Sequence, residues 1–240
     1  MIPQTFEKIL TVTQPECDFQ NHMTPAALLR QVQQISTDHC TAVGMDGEFF
    51  ARTKTVFLLA KVVAEFLEPV VSGEVLRLVT VPYAPERAVF LRKTTLYRGE
   101  TPVATVEAHW ILCDTETHRI LRRVPEDYPF PFTAVCDFAP TFSLPKKVET
   151  REIGTLRALY SRCDSNGHMN NAMYADCVCD ALSEQIFAGK SPVRLCISYH
   201  NELPMGQEMS LFCGECEPAG CYYLSGKSSA THFEATVQLK

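Results

Sequence analysis

Two short segments of this chain repeat each other. Residues 17–23 read Cys-Asp-Phe-Gln-Asn-His-Met and residues 163–169 read Cys-Asp-Ser-Asn-Gly-His-Met. The shared Cys, Asp, His and Met keep one offset of 146 residues (163 − 17, 164 − 18, 168 − 22, 169 − 23). A repeat at more than half the chain length means one structural unit duplicated in tandem, so each element predicted in one half should find a counterpart in the other.

The elements follow that plan. Residues 5–13 read as a strand. Thr24 then offers an N-cap and Pro25 takes the first helical position, where its missing N–H costs nothing. Leu28, Val32, Ile35 and His39 recur on one helical face, and Gly44 suits the position just past the end. From Thr55 the period changes to two, and residues 55–67, 73–83, 87–98 and 102–113 read as strands of an antiparallel meander. Val75, Arg77, Val79 and Val81 share one face of the second of these; Leu76, Leu78 and Thr80 share the other. Pro125, Pro129, Pro131, Pro140 and Pro145 break the pattern. Tyr128, Phe130, Phe132, Phe138 and Phe142 in the same stretch need cover, so it reads as a connection packed on the fold and not as a free linker. The plan then replays: a strand over 152–160, a helix from Asn170 or Asn171 to about Phe187 with Gly189 behind it, and strands over 193–202, 207–216, 221–229 and 232–239.

A strand, a long helix and an antiparallel meander describe an α+β hot-dog fold, in which a curved sheet covers an apolar helix. The tandem form has two antiparallel sheets, apposed, each wrapping a central helix. The expected divisions are an N-terminal repeat over 1–124, a connection over 125–146, and a C-terminal repeat over 147–240.

Composition narrows the setting. The chain of 240 residues has 46% hydrophobic residues, enough for a sizeable core, and a net charge of −6, which argues against nucleic-acid binding. The N-terminus lacks the basic and apolar regions of a secretory signal, and no apolar run approaches the ~20 residues of a membrane span. Eleven cysteines, an odd number, read as reduced thiols in the cytoplasm. Cys213-Gly-Glu-Cys216 with Cys221 nearby lacks the second close pair of a structural zinc site, so no metal and no other cofactor is expected.

Chemistry concentrates in Asp164-Ser-Asn166-Gly-His168-Met-Asn170-Asn171. Alternation in an extended segment would point Asp164, Asn166 and His168 the same way. They precede a helix whose N-terminal N–H groups, near Asn170 and Asn171, could stabilise an oxyanion. A carboxylate, an amide, an imidazole and an electropositive helix end suit attack on a carbonyl. Taken alone, Asp, Asn and Gly before a helix are also ordinary turn and capping residues.

The pattern Asp-x-Asn-x-His-x-Asn-Asn, with Tyr199-His-Asn-Glu202 about thirty residues later, resembles the acyl-[acyl-carrier-protein] thioesterases of plants and bacteria. Trp110-Ile-Leu-Cys-Asp-Thr-Glu-Thr-His-Arg119 is similar to the segment that closes the first repeat in that family. The resemblance spans the whole chain. It implies an acyl-chain pocket in the N-terminal repeat and, in the C-terminal repeat, a catalytic set of Asp164, Asn166, His168 and Glu202, with no cofactor. Glu202 or Asp164 would act as general base toward water, or one carboxylate would attack directly to form a mixed anhydride. Many plant members carry Cys directly after the Glu; this chain has Leu203, so that thiol is not required here. The implied reaction releases a free fatty acid from acyl carrier protein in fatty acid biosynthesis. Alternatives within reach of the same residues are an acyl-coenzyme A thioesterase, a hot-dog 3-hydroxyacyl dehydratase and a non-catalytic acyl-binding protein. The compact length fits a bacterial cytoplasmic enzyme, monomeric or homodimeric.

The first copy departs from the set. It has Gln20 where the second has Asn166, and aligning Pro69 with Pro204 sets Leu67, or with a one-residue shift Glu68, opposite Glu202. Asp18 and His22 therefore read as structural, and His39, on an apolar face, as a hydrogen-bonded core histidine. Arg119, Arg122, Arg123, Lys146, Lys147 and Arg151 are candidates for a basic surface that receives the acidic carrier protein, or for a solvated connection.

Overall fold

Thr24 opens the first helix as predicted. Its hydroxyl accepts the Ala27 N–H at 3.1 Å, and Pro25 begins α1 (Pro25–Ala42). Gly44, just past the end, takes φ +81°. Leu28, Val32, Ile35 and His39 are all buried. A second helix, α2 (Gly47–Thr53), is absent from the sequence prediction; the Asp46 carboxylate caps it by accepting the Phe49 N–H at 2.9 Å. The computed structural model describes residues 4–130 and 132–240, so Pro131 lies outside the described residues.

The first half supplies β1 (Phe6–Thr11), β2 (Thr55–Phe66), β3 (Val75–Pro82), β4 (Val89–Arg98) and β5 (Thr101–Asp114). On β3 the predicted alternation holds, with Leu76, Leu78 and Thr80 buried. The second half supplies β6 (Arg151–Arg157), α3 (Met173–Asp180), α4 (Ser183–Phe187), β7 (Pro192–Tyr199), β8 (Glu208–Cys216), β9 (Cys221–Lys227) and β10 (Thr231–Leu239). The single helix predicted here breaks after Asp180. The Ser183 hydroxyl donates to the Asp180 carbonyl, and the Leu182 N–H turns back to the Cys179 carbonyl in a tighter bond, which ends the regular spiral.

The expected two sheets meet edge to edge. β2 pairs with β7, from Lys61 opposite Ser198 to Glu65 opposite Arg194, and the ten strands run in the order β1-β3-β4-β5-β2-β7-β10-β9-β8-β6. α1 and α3 lie on the same side, tied by Arg30 to Asp176 at 3.3 Å. One hydrophobic core therefore runs through both repeats, from Leu28 and Ile35 to Tyr174, Val178 and Phe233.

The aromatic residues of the proline-rich connection pack on the fold, as expected. Tyr128, Phe130 and Phe132 are buried with Met45, Phe49, Phe90 and Leu112 in a second apolar cluster beside α2. Beyond them the chain crosses the other face of the sheet. Phe138 packs on Tyr83 and under Lys93, Thr141 binds Glu107 and Arg194, and Phe142 lies under Lys61. No helix among the described residues is long and apolar enough to cross a membrane.

Candidate active site

The loop carrying the second motif is not extended as the sequence reading assumed. A bridge between Cys163 and Met169 closes it, the Asp164 N–H donates to the His168 carbonyl at 3.1 Å, and Gly167 turns the chain at φ +79°. The tightness of the loop, and not strand alternation, brings Asp164, Asn166 and His168 to one cavity. Asp164 holds the loop with both oxygens: Oδ1 accepts the Asn166 N–H at 2.9 Å and Oδ2 accepts from Asn170 Nδ2 at 3.2 Å. Asn170 Oδ1 in turn accepts the Ala172 N–H at 2.9 Å and leads the chain into α3.

The expected oxyanion donors are mostly engaged. The Asn170 N–H donates to the Arg162 carbonyl and the Ala172 N–H to Asn170 itself, which leaves the Asn171 N–H without an acceptor among the described residues. The Asn171 carbonyl accepts the Tyr199 hydroxyl at 2.9 Å, so the Tyr of the Tyr-x-x-Glu stretch sets the orientation of this peptide. Tyr174 packs edge-on against Tyr199. Burial pushes both phenols above their ordinary range, so both stay protonated donors.

Glu202 reaches the site from the stretch after β7. Its Oε1 lies 3.4 Å from His168 Nε2, and its side chain is 62% exposed, so water reaches the pair. Its backbone is fixed by a residue that belongs to no motif. Nδ1 of buried His232, on β10, lies 3.1 Å from the Glu202 carbonyl and 3.2 Å from that of Asn201, while Nε2 lies 2.7 Å from the Ser228 hydroxyl. Carbonyls only accept, so Nδ1 carries a proton and donates to them.

Two cavities meet at this loop. One, of about 700 Å³, is bordered by Leu58, Leu59, His168, Tyr199 and Glu202. The other, of about 460 Å³, is walled by Met45, Phe50, Phe90, Trp110 and Phe132. Val56, Phe57, Asp164, Asn166 and Asn171 border both.

The first copy has the same loop without the same surroundings. Asp18 Oδ1 accepts the N–H groups of Gln20 and His22 at 2.9 and 3.0 Å, and Asn21 takes φ +62° where the second copy has Gly167. The strand register corrects the expected alignment. The Met23 N–H donates to Val70 as that of Met169 does to Leu203, and the Glu68 N–H to Val103 as that of Asn201 does to His232. The offset is thus 133 residues here (203 − 70, 201 − 68), and Pro69, not Leu67 or Glu68, stands opposite Glu202. Glu68 binds Arg98 instead, at 2.7 Å. Gln20 Nε2 donates to the carbonyls of Ile186 and Lys190, and His22 Nδ1 lies 3.3 Å from the Ser191 hydroxyl, so the second repeat fills the space before this loop. His39 is a bonded core histidine as expected, 3.2 Å from an Arg92 nitrogen.

The change of offset from 146 to 133 counts 13 extra residues in the first copy, between the loop and its second strand. They hold α2, whose Phe50 joins the aromatic wall of the smaller cavity, so the insertion helps to build that space.

The basic residues come from two segments of the chain. Arg119, Arg122 and Arg123 are exposed just past β5, where Arg119 pairs with Asp114 through the backbone. Lys146 and Lys147 are exposed before β6, beyond β8, whose Gly214 lies against Glu149. Cys216 lies 3.1 Å from Cys221 across the β8–β9 hairpin, and burial pushes its thiol up to about 12. Among the described residues no three metal-ligating side chains converge.

The fold is similar to that of an acyl-ACP thioesterase from Bacteroides thetaiotaomicron VPI-5482 (TM-score 0.84, 18% identity, 99% of this chain and 98% of that one). It is also similar to a 12:0-ACP thioesterase from Umbellularia californica (TM-score 0.80, 14% identity, 100% and 98%) and to a protein from Lactobacillus plantarum assigned as an oleoyl thioesterase (TM-score 0.85, 20% identity, 98% and 96%). No curated protein sequence matches. Residues 3–132 match the model of the acyl-ACP thioesterase N-terminal domain and residues 145–237 that of the C-terminal domain. With nearly its whole length covered by these two models in their natural order, the chain belongs to the acyl-ACP thioesterase family of thioester hydrolases.

Proposed function

We propose that this enzyme hydrolyses an acyl thioester whose carbonyl lies at the junction of the two cavities. The acyl chain enters the aromatic cavity formed largely by the first repeat, and the catalytic groups come from the second. The observation that carries the reading is the set of residues bordering both cavities: Asp164, Asn166 and Asn171 face at once a space suited to an apolar chain and one containing His168 and Glu202.

The free hydrogen-bonding capacity supports a division of roles. Both Asp164 oxygens are engaged in holding the loop, so Asp164 positions. The Glu202 carboxylate lies beside His168 and is open to water, so Glu202, oriented by His168, is the general base. Water oxygen attacks the thioester carbon while its proton passes to Glu202. The Asn166 amide and the Asn171 N–H receive the developing oxyanion. Collapse breaks the C–S bond, the departing sulfur takes up the proton, and the free fatty acid remains. A base open to water favours this route over a mixed anhydride.

The carrier protein, acidic and bearing the acyl group, docks on the side of Arg119, Arg122 and Arg123. Lys146 and Lys147 are the further candidates for the same docking surface. The cellular role is release of fatty acid from the biosynthetic carrier in the cytoplasm. Mass spectrometry of free fatty acids released from a panel of acyl carrier protein substrates, with coenzyme A esters of the same chains alongside, tests the reading. Glu202→Gln should lower kcat by about 10²–10³-fold with KM little changed; unchanged turnover would remove Glu202 from the mechanism.

A further inference from the structure

The aromatic cavity is not wholly apolar. Arg92, on β4, borders it and is 7% exposed. One guanidinium nitrogen lies 3.2 Å from His39 Nδ1 and 3.2 Å from the Thr80 hydroxyl. Both are uncharged partners: a guanidinium only donates, so His39 Nδ1 accepts and carries no proton. Cys40, the nearest thiol that a cation could ionise, is pushed above its ordinary range by burial and stays neutral. Among the described residues no carboxylate lies within 4 Å of Arg92, whereas Arg30, Arg77, Arg98 and Arg194 all have one. A buried, permanently charged group without a counter-ion is costly, and such groups in proteins are paired or face a ligand. The cross-strand neighbours of Arg92 are Pro82 and Ala108, and the small Ala108 leaves room beside it.

Arg92 also lies at a definite depth. Leu59, beside His168 and Glu202, pairs with Trp110, which pairs with Phe90, two residues from Arg92. Two strand spacings and two residues along the strand amount to roughly 12 Å. That is the span of an acyl chain of medium length.

We propose that Arg92 is the binding site for a carboxylate at the far end of the acyl group, so that the enzyme takes ω-carboxyacyl thioesters in preference to methyl-ended chains of the same length. The guanidinium fork matches a carboxylate in two hydrogen bonds, and the surrounding apolar wall strengthens the pair. A methyl end reaching the same point would leave the charge unpaired and cover it from water. This rests on the thioesterase reading above, with Arg92 as a specificity residue remote from the reacting carbon.

The experiment has two arms. In the first, kcat/KM is measured for carrier-bound pairs of matched length, one ending in methyl and one in carboxylate, with a short chain that stops before Arg92 as control. Preference for the carboxylate should appear only at lengths that reach Arg92, on the order of 10- to 100-fold. Arg92→Met should abolish it and keep turnover of the short chain, and Arg92→Lys should retain part of it. Preference for methyl ends at every length, or a preference unchanged in Arg92→Met, overturns the proposal. In the second arm, calorimetry compares binding of free dicarboxylic and monocarboxylic acids of that length to the wild-type protein. Tighter dicarboxylate binding supports the site even if no thioester is hydrolysed, in which case the thioesterase reading alone fails. Equal binding overturns the site whether or not the enzyme turns over.

Discussion

The duplicated loop supplies its own control experiment. Asp18 and Asp164 occupy equivalent positions, both half-buried, and each accepts two hydrogen bonds that hold its loop closed. Replacing either by Ala removes two bonds to a carboxylate, about 2 kcal/mol in all at such partly exposed sites. For a chain of this size that lowers Tm by about 4–8 °C. The two variants should therefore be destabilised alike. Their activities should part. Asp18→Ala disturbs a loop whose Gln20 and His22 face the 186–191 segment, and kcat/KM should stay within about twofold of wild type. Asp164→Ala frees Asn166 and Asn170 at the reacting carbonyl, and a displacement of about 1 Å there costs on the order of 10²-fold. Scanning calorimetry and steady-state hydrolysis on one acyl-carrier substrate read both quantities. If Asp18→Ala loses as much activity as Asp164→Ala at equal Tm, activity follows loop stability and the assignment of the site to the second copy is refuted. If Asp164→Ala keeps full activity, Asp164 does not position Asn166 for catalysis.

Three further outcomes follow from single contacts. Tyr199→Phe removes the hydroxyl that fixes the Asn171 carbonyl; Tm should fall by about 2–4 °C for the lost bond, with kcat reduced about tenfold, measured by calorimetry and hydrolysis. Glu74 is held below its ordinary carboxylate range, chiefly by the Arg98 guanidinium at 2.6 Å, against a smaller opposing effect of burial. A depressed carboxyl contributes stability above its unfolded pKa of 4.5 and loses it as pH falls through the lower folded value. Wild type should therefore melt above Glu74→Gln at neutral pH, and the gap should close in acid; a gap independent of pH would contradict this. In Gly214→Ala the new Cβ overlaps the Glu149 carbonyl, so the approach to β6 must move off β8, at about 1–3 kcal/mol by denaturant titration.

Much of the fold was legible because it rests on local chemistry. Thr24, Pro25 and Gly44 mark the first helix by capping and backbone preference, and the alternation on β3 by side-chain period. The break after Asp180 was not legible, because it depends on a serine hydroxyl competing for one backbone carbonyl. Nor was α2, a short element with a single capping signal. At the site, the motif brought Asp164, Asn166 and His168 to notice, but for a reason the loop does not follow. His232 went unnoticed because it acts on the Glu202 backbone from 30 residues away, where no spacing records the contact.

The sequence by itself determined that the chain is one unit repeated, and that the two copies differ where Gln20 replaces Asn166. Both facts lie in residue identity and survive without coordinates. The tertiary structure decided the rest. Pairing of β2 with β7 makes one sheet and one core of the two copies. Strand register, which a shift of one residue would reverse, sets Pro69 opposite Glu202. The 13-residue insertion opens a cavity beside the second loop, while the 186–191 segment fills the space before the first. Arg92 shows the division most clearly: in sequence it is one basic residue in a strand, and only burial without a carboxylate partner makes it a candidate binding group. Burial and pairing are properties of what surrounds a residue, and distant parts of the chain supply those surroundings only after folding.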